Sequence, residues 1–254
     1  MPVKLFDKKV NLVGLIILVH LIFSYYYIPK FWSAAVGFVL ILLLSYLAWE
    51  NRFIFWTGFQ LKPIEIFFSI FLAALFLKGA LYLIKNIATQ NEILFQPGNY
   101  KDLIHTFFYT LNEEIILGAL LLKGIQHKWK KLAVWKISMG VALIFSIIHF
   151  VFFKWIFLNT GDLSVITILS LLATGILRNN IILKTGHIGY SWAIHFGWIF
   201  PMLGCSHLKL TGKNYLTDFE RFNLYLGDYK IAIFVSLLAI ISFFILNKKT
   251  ATSS

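Results

Sequence analysis

Long apolar runs, broken at short intervals by charged residues, Asn, Gly and Pro, dominate the chain. A membrane-spanning helix needs about 20 mostly apolar residues, and eight segments meet or approach that length. They run roughly over Val10–Ile28, Phe31–Trp49, Ile66–Ile84, Leu103–Leu122, Ala133–Phe153, Leu163–Leu183, His187–Gly204 and Ile231–Leu246. No strand pattern, internal repeat or low-complexity segment stands out. The pattern predicts an all-α polytopic membrane protein with about eight transmembrane helices, forming one integral membrane domain over residues 1–254. Three segments are less apolar than the rest. The fourth is interrupted by Asn112-Glu113-Glu114, the sixth by Arg178-Asn179-Asn180, and the seventh by a Gly/Ser/His-rich stretch. The first follows Lys4, Lys8 and Lys9, as a signal peptide would. It lacks a small-residue cleavage site and ends in Tyr25-Tyr26-Tyr27, an interfacial aromatic belt, so it reads as a retained anchor.

Composition sharpens this picture. Of 254 residues, 59% are hydrophobic and 13% charged, about half the charged share of a soluble domain. The mean hydropathy is +0.78. These values exclude a disordered chain, a soluble nucleic-acid binder and a disulfide scaffold. Cys205 stands alone and forms no internal disulfide. The net charge of +12 suits loops gripping an anionic leaflet rather than nucleic acid, so the partners expected are membrane lipids. Most of the 23 Lys and Arg residues fall on the side of the two termini. The stretch containing Lys123, Lys128, Lys130, Lys131 and Lys136 is the strongest vote. Both termini are therefore expected in the cytoplasm, with the chain integral to a bacterial cytoplasmic membrane.

Of the eleven acidic residues, only Glu113 and Glu114 fall near the middle of a span. A carboxylate in hydrocarbon costs several kcal/mol unless it is paired, hydrated or protonated. Two adjacent ones point to function more than to helix packing. Histidines lie on neighbouring spans: His149 well inside the fifth, His195 halfway along the seventh, and His187 near the entrance of the seventh. His20 and His105 read as packing residues, and His127 and His207 lie in loops.

The local patterns are Glu113-Glu114-Ile115-Ile116-Leu117, Phe145-Ser146-Ile147-Ile148-His149 and His195-Phe196-Gly197-Trp198. In order and spacing they resemble the CPBP family of intramembrane proteases, which includes the type II CAAX-prenyl endopeptidases and bacterial Abi proteins. That family carries E-E-x-x-x-R, F-x-x-x-H and H-x-x-x-N on successive core helices of a roughly eight-span fold. The resemblance covers residues 100–205 and the span count. It implies a glutamic-type endopeptidase acting on a membrane-associated peptide or prenylated protein. In that scheme Glu113 is the general base, His149 its partner on the water, and His195 part of the oxyanion site. Glu114 lies about 100° further round the helix, so it is expected to support the site from behind rather than point at the same spot.

Two positions depart from the family pattern. Its Arg falls on Gly118 and its Asn on Ile199. Removing one oxyanion donor commonly costs about 10²–10³ in rate, and Arg178, Asn179, Asn180 and Ser191 are candidate replacements. The resemblance implies no metal cofactor. If zinc were bound, Glu113, His149 and His195 would be its ligands, although no local metal-ligand pair is present. Ser146 and Ser191 lack a nucleophile motif, and Cys205 reads as a packing residue. Gly175, Gly186, Gly189 and Gly197 suit close helix approach, while residues 204–230 form a mixed-charge connector. Two rival readings are carried beside the peptidase. One is a catalytically impaired relative that binds a partner or confers immunity. The other is a proton-coupled transporter, for which no inverted repeat is found.

Overall fold

The computed structural model describes residues 12–20, 30–90, 93–94, 100–152, 165–201, 209–210 and 226–247. The Tyr25–Tyr27 belt, the N-terminal lysines, Cys205, His207 and most of the 204–230 connector lie outside these residues.

The fold is all-helical. Helix α1 covers residues 12–20. It is followed by α2 (Lys30–Trp49), a 3-10 turn (Glu50–Arg52), α3 (Phe53–Thr57) and α4 (Pro63–Gln90). Next come α5 (Tyr100–Glu113), a π-helical segment (Glu114–Leu120) and α6 (Leu121–Lys128) as one unbroken run. The series ends with α7 (Val134–Phe152), α8 (Val165–Thr185), α9 (Gly189–Ile199) and α10 (Tyr229–Asn247). The extended structure among the described residues is a two-residue antiparallel pairing of Ile93 with Leu210 and Leu94 with Lys209. A helix thus occupies each of the eight apolar segments. Over the described residues, four helices are long and apolar enough to cross a membrane: Trp32–Thr57, Pro63–Gln90, Val165–Thr185 and Tyr229–Asn247.

These helices are patterned inside out. On α2 the buried positions include Ser33, Ala34, Ser45 and Ala48, while Trp32, Val39, Leu43 and Leu47 are exposed. On α4, Ser69, Ala73, Ala80 and Ala88 are buried, and Phe67, Phe71, Leu75 and Tyr82 face outward. On α10, Ala239 and Ser242 are buried, and Phe234, Leu237, Ile241 and Phe244 are exposed. Water would drive the large side chains inward. Lipid gains nothing from that, so small residues bring helix backbones together and large apolar ones face the hydrocarbon.

The chain forms two compact units, Met1–Leu121 with His187–Thr217, and Leu122–Gly186 with Asp218–Ser254. In the first, α2 packs on α5, and α9 packs on both α4 and α5. The α4–α9 contact is tight: a Cβ at Gly197 would lie 2.7 Å from Phe76 Cβ and 2.8 Å from the Ala73 carbonyl oxygen. Gly58 ends α3 with φ +79°, a left-handed value that favours glycine. Its carbonyl accepts the Ile188 N–H at 3.0 Å, tying that turn to the entry of α9. Every residue from Tyr109 to Leu120 is buried, as befits a helix enclosed on all sides.

In the second unit α8 packs on α7 and α10. Arg178-Asn179-Asn180 lies within the continuous helix α8. The Asn180 amide accepts from Ser138 Oγ at 2.6 Å and donates to Ser242 Oγ at 3.0 Å. Asn179 donates to the Ser138 carbonyl at 2.8 Å. The Arg178 guanidinium lies 4.2 Å from the Phe145 ring centroid and donates to Asn179. Partners on facing helices let the polar triplet stay helical and buried. Lys123 of α6 is also buried, which pushes its ammonium down to about 8.

Candidate active site

The polar centre of the first unit is built on the α5–π junction. Glu113 is the last residue of α5 and Glu114 the first of the π segment. Tyr109 stands one turn before Glu113, on the same face, and its hydroxyl donates to Glu113 Oε1 at 3.0 Å. The other Glu113 oxygen, Oε2, lies 3.5 Å from His195 Nε2. The opposite imidazole nitrogen, Nδ1, lies 2.9 Å from Glu114 Oε1. Ser191, one turn before His195 on α9, lies 2.6 Å from Glu114 Oε2 and 2.9 Å from the Ile188 carbonyl. The resulting order is Tyr109–Glu113–His195–Glu114–Ser191. Its ionisable members are sealed in: Glu113 is 1% exposed, Glu114 0% and His195 8%.

The two carboxylates meet one imidazole on opposite edges and do not point at a common spot. The backbone passes from α to π between them, a kind of bulge often found at functional sites. An imidazole also presents its two nitrogens on different edges, so each carboxylate meets its own. Each ring nitrogen is thus within reach of one carboxylate oxygen. Glu114, held by Ser191, fixes the ring orientation and leaves the Nε2 edge turned to Glu113.

Aromatic side chains wall this centre. Trp192 donates its indole N–H to Thr110 Oγ1 at 3.1 Å. Phe107 meets Trp192 edge-on at 5.1 Å, and Trp192 stacks on Phe196 at 5.2 Å between centroids. His105 stacks on Tyr109 at 6.2 Å. A second histidine–carboxylate contact holds the entry of α9, with His187 Nε2 3.7 Å from Glu65 Oε1. His187 Nδ1 accepts the Gly189 N–H at 3.2 Å.

The structure thus brings together Glu113, Glu114 and His195 within the first unit. His149 belongs to the second. There its Nδ1 lies 2.7 Å from the Phe145 carbonyl. A carbonyl only accepts, so Nδ1 carries a proton. Among the candidate replacement donors, Ser191 is engaged with Glu114, while Arg178, Asn179 and Asn180 take part in the second unit's network. Gly118 is buried in the π segment and Ile199 is half-buried at the end of α9. Among the described residues no group of three His, Cys, Asp or Glu could hold a metal ion. Glu113 and Glu114 flank His195 from opposite edges rather than surrounding a common point. Tyr109 was not singled out from sequence, although a tyrosine one turn before an intramembrane glutamate is the signal that finds it. No family model, curated protein or solved structure matches the chain.

Proposed function

We propose that this protein is an intramembrane endopeptidase of the CPBP type, with eight transmembrane helices and both termini cytoplasmic. It hydrolyses a peptide bond in a membrane-associated peptide or prenylated protein. The observation that carries this reading is the buried Glu113–His195–Glu114 arrangement, with Glu113 Oε2 3.5 Å from His195 Nε2. At that separation one water can touch both groups. Glu113 takes a proton from the water as its oxygen attacks the scissile carbonyl. An N–H of His195 stabilises the oxyanion. The proton then passes to the departing amine, and the water oxygen stays on the new carboxyl group. The family resemblance assigns His149 to the water as well. Glu114 and Ser191 hold His195 in place, and Tyr109 holds Glu113.

The test is cleavage of a quenched-fluorescent, farnesylated C-terminal peptide by the reconstituted protein. Wild type should cleave it. Glu113→Ala and His149→Ala should each lower the rate by at least about 10²-fold while still inserting and folding. Activity retained in both variants overturns the mechanism. Gly118 and Ile199 favour one rival, a relative that binds a partner or confers immunity without cleaving. That reading predicts a phenotype in cells that survives substitution of Glu113.

A further inference from the structure

The turn that joins α6 to α7 carries a feature that the peptidase reading does not use. Lys128, Lys130, Lys131 and Lys136 are all exposed. Two tryptophans sit among them, Trp129 at 49% and Trp135 at 40% exposed. Each ring is paired with the lysine beside it: Lys128 Nζ lies 5.3 Å from the Trp129 ring centroid, and Lys136 Nζ lies 5.5 Å from that of Trp135. No Asp or Glu occurs between Glu114 and Asp162, so no acid within this stretch neutralises the charge. Lys123 is the contrast. It lies earlier on α6 and is buried.

Placement decides what such a surface meets. The turn leads directly into α7, whose Val134–His149 stretch is apolar, and Leu132 and Val134 are exposed beside the lysines. Exposed apolar side chains and indoles at the end of an apolar helix belong at the membrane–water boundary, where tryptophan is enriched. Lysines there extend their stems along the apolar surface and place their ammonium groups at the phosphate layer. The nearest dense array of negative charge is then the lipid headgroups. A soluble acidic partner would not need the indoles or Leu132.

We infer that the Lys128–Lys136 turn is a binding site for anionic phospholipid headgroups and selects them over zwitterionic ones. Lysine acts as a point charge without a fixed fork, so the site reads charge rather than one headgroup's shape. Each lysine near an anionic surface contributes about fivefold. This inference does not depend on the peptidase reading.

The test is reconstitution of the full chain in phosphatidylcholine vesicles with or without phosphatidylglycerol. The preference for phosphatidylglycerol is read from quenching of tryptophan fluorescence by brominated lipids of each kind. Two double variants, K128Q/K130Q and K131Q/K136Q, leave enough charge to preserve insertion. Lys→Arg at the same four positions keeps the charge. K184Q/K230Q removes exposed lysines elsewhere. Wild type, the arginine variant and the K184Q/K230Q control should prefer phosphatidylglycerol. Each double variant should lose about tenfold or more of that preference. Raising salt from about 0.05 to about 0.5 M should weaken it in wild type. Equal preference in wild type and both double variants overturns the inference, and so does an equal loss in the K184Q/K230Q control.

Discussion

Both units bury polar side chains among apolar helices, but they bury different kinds. In the second unit the bonds that join three helices run through the neutral side chains of Ser138, Asn180 and Ser242, with the Arg178 guanidinium beside them. In the first, two carboxylates close on one imidazole, with a hydroxyl at either end. Neutral hydrogen bonds between membrane helices are worth about 0.6–2 kcal/mol, and they suffice to fix packing. A buried ionic cluster is a poor way to gain stability, because desolvation offsets most of the attraction. It leaves proton-exchanging groups where water is scarce, which suits chemistry. The first unit's polar centre is thus set up to react and the second's to hold.

Substitutions can break or sharpen that contrast. The largest effect is expected for Glu113→Gln, which keeps the shape and loses the base. Peptide cleavage should fall by about 10²–10⁴-fold, with the thermal midpoint in detergent close to wild type. Next is Glu114→Ala, which strips the acceptor from His195 Nδ1 and Ser191. Breaking a buried pair costs about 3–5 kcal/mol, so thermal unfolding should show a large loss. Glu114→Gln should recover most of it, because an amide accepts from His195 and donates to Ser191, whose own proton then serves the Ile188 carbonyl. In the second unit, Asn180→Ala should cost about 1–3 kcal/mol and leave cleavage per folded molecule unchanged. A cleavage loss in that variant as deep as that of Glu113→Gln would erase the contrast. The smallest effect is expected for Tyr109→Phe, which removes one hydrogen bond worth about 1 kcal/mol. It should lower kcat more than it changes KM.

The outline of this molecule was legible because the hydrocarbon length of a span imposes a simple spacing, and a helix lies within every apolar segment. The reactive cluster was partly legible for a related reason: adjacent glutamates in mid-span have few uses. Other features depended on partners distant in sequence. Nothing around Asn180 announces that Ser138 and Ser242 will satisfy it. That His195 would come to offer one nitrogen to Glu113 and the other to Glu114 depends on the packing of α9 against α5, which helical periodicity does not reveal. Ser191 and Tyr109 each stand one turn before a residue already singled out. Ser191 was already among the candidate donors, and a search for hydrogen-bonding neighbours at i−4 would have found Tyr109.

The central claim is that Glu113 and His195 direct water at a peptide bond. The most direct measurement is mass spectrometry of membrane peptides after incubation with the reconstituted protein in heavy-oxygen water. The account predicts new C-termini carrying one heavy oxygen with wild type, and their loss with Glu113→Gln. No labelled C-termini with wild type, or equal labelling in both, would contradict it.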